Sequence, residues 1–325
     1  MIGYKRILIY YAIALIAIGA TPAMAQTFPS KPIRIVVGYA AGGPGDISAR
    51  LIAQKVSETL GQPVVVENKP GASTIISAQA VANAPKDGYT LLMYTSVLVT
   101  NVHMYKTLPY KLEDFTPVSL ILSFPFALNV STSLPVKSLA EFVALAKSKP
   151  GSLNYATLGP SGTGFLLTKK LEKLADIKMT PIPYKGAAPA MTALTVGEVQ
   201  VFIDSVSTSI PNHQARKSTM LGVTTEERLP SAPDIPTFKE QNYPDMVASV
   251  WFGLAVPSGT PEDIVKILHG AIAKAVRSED YQRAISRFGA LPIASESPAE
   301  FSSLVRTESE KWSNVIRPLG IQLDY

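Results

Sequence analysis

The chain has 325 residues, 46% of them hydrophobic and 17% charged, a globular composition long enough for two ordinary domains with separate cores. Its formal charge of +5 is spread without a basic run, which argues against nucleic acid as a partner and mildly favours small anions. With no Cys and only His103, His213 and His269, disulfides, thiolate metal sites and a Cys nucleophile are excluded and zinc is poorly supplied, so neither metal nor cofactor is expected.

The N-terminus carries Lys5-Arg6, an apolar run from Ile7 to Ala20 and then Thr21-Pro22-Ala23-Met24-Ala25. Charged start, short apolar core and small-x-small ending at Ala25 predict a cleavable signal peptide over residues 1–25. The run is shorter than the roughly 20 apolar residues that span a bilayer, and no later window is apolar enough, so the mature protein is expected to be exported and soluble. Loss of Lys5 and Arg6 takes two from the charge of +5 and leaves +3.

Strand and helix patterns then alternate, the grammar of parallel sheets covered by helices. A β-rich run, Pro32 to Val37, stops at the glycine-rich segment Gly38 to Gly45. Ile47, Leu51, Ile52, Val56 and Leu60 follow at helical spacing, with Asp46 placed as N-cap and Gly61 as stop. Val64–Val66 and Tyr89–Tyr94 read as strands and Ile76–Ala84 as a helix. After the strand Phe126–Val130, Ser138 and Glu141 form a capping box before a helix that Pro150-Gly151 ends. Leu153–Thr157 runs into a second glycine-rich loop, Gly159 to Gly164, and Leu167, Leu171 and Leu174 then share one helical face, with Lys169, Lys170 and Lys173 on the others. Strands are expected at Thr180–Tyr184, Val199–Ile203, Met220–Val223 and Val250–Val256. Thr260-Pro261 and Ser297-Pro298 each open a helix, with Thr260 and Ser297 placed as caps and acids in the first turn.

The two glycine-rich loops lie in different halves of the chain, and each joins a strand to the first turn of a helix. Backbone amides and the helix dipole make such a turn an anion site, at the carboxyl ends of the strands where open parallel sheets bind ligands. The alternative for either loop alone is a plain tight connection. Asp46, Ser161 and Thr163 offer side-chain partners, although Asp46 also suits a cap or a pair with Arg50. Asp204 and Ser205 are read as ligand contacts, with Ser207 to Ser209 as caps. Tyr39, Tyr184 and Trp251 could meet an organic ligand or belong to core packing.

Enzyme motifs fail on spacing. Gly43-Pro44-Gly45 would need a third glycine where Ser48 stands, no Gly-Lys-Ser/Thr P-loop exists, and Gly159-Pro160-Ser161-Gly162-Thr163 lacks the closing Gly of G-x-S-x-G. No residue is assigned a catalytic role.

Several segments carry a family likeness: Phe28 to Val37, Ala41-Gly42-Gly43 with Asp46 and Arg50, Gly61 to Ala72, Asp87 to Leu91, Leu134 to Ser138, Pro183 to Gly186, and Trp251 to Leu254 followed by Gly259-Thr260-Pro261. In order and over nearly the whole mature chain they resemble the Bug/TctC family of tripartite tricarboxylate transporter receptors. The resemblance implies a periplasmic receptor of the type II periplasmic-binding-protein fold that delivers an organic acid to membrane subunits of a transporter. Carried onto this sequence, it implies a ligand carboxylate held by Ala41, Gly42, Gly43 and Asp46 and by Ser161, Gly162 and Thr163, with Ser96 and Asp204 lining the cleft. Many members have Thr where Gly45 stands and His where Leu166 stands. Phe165 and Leu166 then imply a more apolar or aromatic acid.

The expectation is therefore an α/β, two-domain periplasmic-binding-protein type II fold, each domain a mainly parallel sheet flanked by helices. Domain 1 is placed at residues 27–128 plus 251–325 and domain 2 at 129–250. A monomer without nucleic-acid partners is expected to close on a di- or tricarboxylate, with an aromatic acid as a variant. The rival readings are an exported serine hydrolase using Ser161 and a ligand sensor acting with a sensor kinase.

Overall fold

The computed structural model describes residues 28–159, 162–287 and 289–324. The expected signal peptide and Ser161 lie outside the described residues.

Strand β1 (Ile33–Val37) pairs in parallel with β2 (Val64–Asn68) and β3 (Thr90–Thr95). Helix α1 (Pro44–Leu60) connects β1 to β2, and α2 (Ile75–Ala82) connects β2 to β3, which leads into α3 (Ser96–Met104). A second parallel group is formed by β5 (Asn154–Thr157), β6 (Thr180–Pro183) and β7 (Val201–Ser205). Its helices are α4 (Leu139–Ser148), α5 (Thr163–Ala175), α6 (Ala187–Val196) and α7 (Val206–Gln214).

Two antiparallel strands join these groups. The 17-residue β4 (Phe115–Ser131) pairs with β9 (Ser249–Pro257) along Phe115–Pro125, then with β7 and with β8 (Ser218–Val223) from Phe126 onward. The sheet order is β2-β1-β3-β9-β4-β7-β5-β6, with β8 and the short β10 (Leu291–Pro292) also on β4. It is thus a mixed sheet whose outer strands are parallel, flanked by helices that include α8 (Glu262–Val276), α9 (Glu279–Ser286) and α10 (Pro298–Ile316). The fold is α/β.

Local sequence signals explain several helix ends. Ser138 Oγ accepts the Glu141 amide at 3.2 Å and Ser297 Oγ the Glu300 amide at 3.1 Å, while Gly61 closes α1 in the left-handed region at φ 67°. Two assignments are corrected. Asp46 is inside α1, whose N-cap is Gly43, because Pro44 suits a first helical turn. Thr260 does not cap α8: its hydroxyl donates to Pro257 O at 2.7 Å and Pro261 holds the cap position.

Apolar faces of the helices fill both sides of the sheet. Ile35, Ile52, Leu268 and Ile272 pack in one core cluster, and Phe142, Tyr155, Leu167 and Ile203 in another. Lys170, off the leucine face by its spacing, is nevertheless 7% exposed, on the buried side of α5.

Candidate ligand-binding cleft

The first loop leaves β1 at Val37 and enters α1 through Gly43, which has extended geometry and no side-chain cap. The second leaves β5 at Thr157 and enters α5 through Gly162, likewise without a side-chain cap. The first backbone bonds back to these caps come from Ile47 to Gly43 O and from Leu166 to Gly162 O. The amides of Gly45 and Asp46, and of Thr163, Gly164 and Phe165, therefore have no acceptor within their helices. Close approach fixes the second loop: a Cβ on Gly164 would stand 2.4 Å from Ile203 O, so only glycine lets α5 start against β7.

Each loop opens on a cavity. The first, of about 540 Å³, is walled by Tyr39, Ala41, Gly43 and Gly45 on one side and by Phe124, Phe126, Val250 and Phe252 from the crossing strands. The second, of about 200 Å³, is walled by Gly162, Thr163, Gly164, Phe165, Asp204 and their neighbours. Phe126 and Ser205 line both, so the two cavities adjoin across β4 and β7.

The other expected contacts take different places. Asp46 is 2% exposed, and its carboxylate accepts from Gly42 N–H at 2.9 Å, Arg50 Nε at 3.0 Å and Asn68 Nδ2 at 2.8 Å. Arg50, helped by the Gly42 and Asn68 donors and opposed by burial, holds its pKa down at about 2. Gly42, at φ +85°, supplies the left-handed turn that brings its amide to that carboxylate. Ser96 is buried at the start of α3 and Tyr184 packs beside Ala156 and Ala190, and neither lines the two cavities. Leu166 is buried in the core, whereas Phe165 faces the second cavity.

Asp204 and Ser205 end β7. Burial pushes the Asp204 carboxyl up, against hydrogen bonds from Thr208 and the Ser205 amide. Ser205 Oγ caps α7 by accepting the Ser207 amide at 3.3 Å. Burial also raises the Tyr39 phenol. Its ring lies 5.5 Å from that of Phe252, which stacks edge-on with Phe124 at 5.8 Å. Of this aromatic floor the sequence pointed to Tyr39 but not to Phe124, Phe126 or Phe252. The strand period of two could have found them, since Phe124 and Phe126, and Val250 and Phe252, each fall on one face. The same period turns Trp251 away, into the opposite face against Phe301 at 5.3 Å.

Among the described residues no group of three or more His, Cys, Asp or Glu is placed to hold a metal, and no helix is long and apolar enough to cross a membrane.

Comparison with known proteins gives a consistent picture. A family profile described as "Tripartite tricarboxylate transporter family receptor" matches residues 48–321. Protein BugT of Bordetella pertussis (strain Tohama I) is 33% identical over 307 residues, covering 94% of each chain. A TctC solute-binding protein from Polaromonas, solved without ligand, is 31% identical with a TM-score of 0.82, over 90% of this chain and 100% of that one. An R. palustris protein solved with adipate is 34% identical with a TM-score of 0.71, over 91% of this chain and 100% of that one. The family is one of solute-binding receptors and not of enzymes, and this chain belongs to it: it is a member of the TctC tripartite tricarboxylate transporter receptor family.

Proposed function

We propose that this protein captures an organic carboxylate in the cleft between the two loops and hands it to the membrane subunits of a tripartite transporter. The single observation that carries the reading is that two helix starts with unspent amides, Gly45–Asp46 and Thr163–Phe165, front adjoining cavities that share Phe126 and Ser205. Amides at a helix start favour a negative group, and hydrogen bonds to charge contribute about 1.5–3 kcal/mol each. Ala41 and Gly43 on one side and Gly162, Thr163 and Ser205 on the other are the contacts assigned to the ligand, together with Tyr39 and Asp204. Asp46 and Gly42 act one step back, holding the first loop in shape. Ser161 is retained as a second-loop contact on the strength of the family resemblance alone.

The aromatic floor of Tyr39, Phe124, Phe126 and Phe252 favours an acid with an apolar or aromatic body, and adipate in the R. palustris relative is of the carboxylate class. The mechanism is closure of two lobes, residues 27–128 plus 251–325 and residues 129–250, about the crossings in β4 and β9. The protein works as a periplasmic monomer after removal of residues 1–25. A thermal-shift screen of ligand-stripped protein against aliphatic and aromatic mono-, di- and tricarboxylates tests this. A ligand at 100 times its Kd stabilises by about 2.7 kcal/mol. No shift from any carboxylate, together with a shift from neutral solutes, would overturn the reading.

A further inference from the structure

The crossing strands have a second face. Whereas Phe124, Phe126, Val250 and Phe252 wall the front cleft, Ser123, Pro125, Ser249 and Trp251 alternate with them and wall a separate cavity of about 800 Å³ at the rear. That volume falls in the range of pockets that enclose organic ligands. Its walls come from both sheet groups: α5 and the stretch Thr224–Pro230 on one side, α10 and the neighbourhood of β10 on the other. Much of the lining is apolar, including Leu120, Leu229, Trp251, Leu291, Ile293 and Leu304.

One cation in this wall is unspent. Lys170 is 7% exposed, lines the cavity, and has no hydrogen-bond or ion-pair partner among the described residues. The other charges differ. Lys311 donates to Val247 O and pairs with Glu308 at 3.3 Å, Glu308 accepts from Trp312 Nε1 at 2.9 Å, and Arg228 is held by Glu240 at 2.9 Å. Asp245 and Glu308 attract the Lys170 ammonium through space without a hydrogen bond or ion pair to it, and Glu226 and Glu227 line the same cavity. A buried, unpaired ammonium costs free energy unless something else supplies the counter-charge. Among the described residues the Trp251 indole N–H in the same wall also lacks an acceptor.

We propose that the rear cavity is a second ligand site, for an organic monocarboxylate with an apolar body whose carboxylate pairs with Lys170. One available cation sets the charge at one, because Asp245, Glu226, Glu227 and Glu308 repel a second carboxylate. The apolar walls select a hydrocarbon chain or ring over a small hydrophilic acid. The site is independent of the front-cleft reading, since no residue lines both cavities. Because its walls belong to both sheet groups and its floor is the pair of crossing strands, an occupant ties the lobes together from behind.

Calorimetry of the purified protein with octanoate at pH 7 tests the site. Saturable binding is expected, weakened about tenfold or more by Lys170→Met and held within a few-fold by Lys170→Arg. Octan-1-ol, which keeps the chain and loses the charge, should bind more weakly by a similar factor. A measurement on the unaltered protein covers the case of a misfolded variant. Burial, with Lys311 as second cause, pushes Lys170 down to about 8, so raising the pH from 7 to 9.5 discharges it and must weaken octanoate about tenfold. Absence of saturable binding, or equal binding by Lys170→Met, overturns the proposal. So does a loss of octanoate affinity in the front-wall variant Tyr39→Ala that is absent in Lys170→Met.

Discussion

Thr224 and Phe126 hold each other at the point where β4 changes partners. The Thr224 amide donates to Phe126 O at 2.9 Å, and the Phe126 amide donates to Thr224 Oγ1 at 2.9 Å. The same hydroxyl donates to Ala248 O at 2.7 Å, just before β9 begins. One buried side chain thus ties both crossings together, and Phe126 carries the arrangement to both front cavities. Thr224→Val keeps the shape but leaves the Phe126 amide and the Ala248 carbonyl short of a partner. Each orphaned group costs about 1–3 kcal/mol. Chemical denaturation should therefore show a loss of about 2 kcal/mol or more for Thr224→Val and under about 1 kcal/mol for Thr224→Ser. Equal stability of all three proteins would remove the role assigned to the hydroxyl.

Asp46→Asn tests whether the first loop is held by a carboxylate. The substitution weakens acceptors used by Gly42 and Arg50, at a cost of about 1–3 kcal/mol. The acid dependence fixes the sign. The folded-state pKa of about 2 lies below the ordinary 3.8, so the contribution is present above 3.8 and is lost as pH falls from 3.8 to about 2. The stability gap between native protein and variant should accordingly be widest near neutrality and close across that window. Ligand affinity should drop as well, because Ala41 and Gly43 flank the anchored amide. A gap independent of pH would show that ionisation of Asp46 contributes nothing.

Ser73 stands at φ 49°, between Ala72 at φ 44° and Thr74 at φ 71°, three successive non-glycine residues in left-handed backbone. Such geometry costs about 1–2 kcal/mol per residue. Ser73 is exposed and its hydroxyl makes only a 3.3 Å bond with Tyr105, so glycine loses little contact there. The added freedom of the unfolded chain offsets about 0.5–1 kcal/mol. Ser73→Gly is expected to raise stability by about 0.5–1 kcal/mol in urea titration, and a lower midpoint would refute the strain.

Features decided within a few residues were legible in the sequence. The glycine loops, the caps at Ser138 and Ser297 and the stop at Gly61 depend on local geometry, and they fall where the spacing put them. Features decided by long-range pairing were not. Asp46 reads as a cap because Asn68, its partner 22 residues on, becomes a neighbour only when β1 and β2 align. The first half of β4 hides behind Pro117 and an irregular register. The spacing puts Lys170 off the leucine face of α5, and helical periodicity cannot know that α10 covers the face it occupies. The aromatic floor and the outward turn of Trp251 required the pleat phase of β9 relative to the cleft.

Asp204 gives the front cleft a pH dependence. Its raised pKa means that the folded protein holds this proton more tightly than the unfolded chain does. Its charge therefore costs stability above the folded pKa, and the cost is lost as pH falls from the folded to the unfolded value. A bound carboxylate beside Asp204 adds like charge and raises that pKa further. Affinity should increase on acidification, by at most about tenfold per unit. Asp204→Asn keeps an acceptor for Thr208 and removes the charge. It should bind at pH 7 at least as tightly as the native protein and show a flat profile in calorimetry. An unchanged slope in the variant would assign the effect elsewhere.

Gly45 sets how far the Tyr39 ring reaches into the cavity. A Cβ at this position would lie 3.1 Å from Tyr39 Cδ2 and 3.3 Å from Phe252 Cε1, tighter than normal contact. Both neighbours are ring edges, and the half-buried Tyr39 is the freer of the two to swing. Gly45→Thr therefore displaces Tyr39, breaks its 5.5 Å stacking on Phe252 and puts a hydroxyl beside the unspent first-turn amides of α1. Helix propensity gains a few tenths of a kcal/mol, less than the lost ring contact of about 0.5–1.5 kcal/mol. The selectivity outcome follows from the wall chemistry: affinity for aromatic acids falls several-fold, while that for short polar dicarboxylates holds or rises. A competition experiment between phenylacetate and malate measures the ratio directly. A ratio unmoved by Gly45→Thr would show that the aromatic floor takes no part in choosing the ligand.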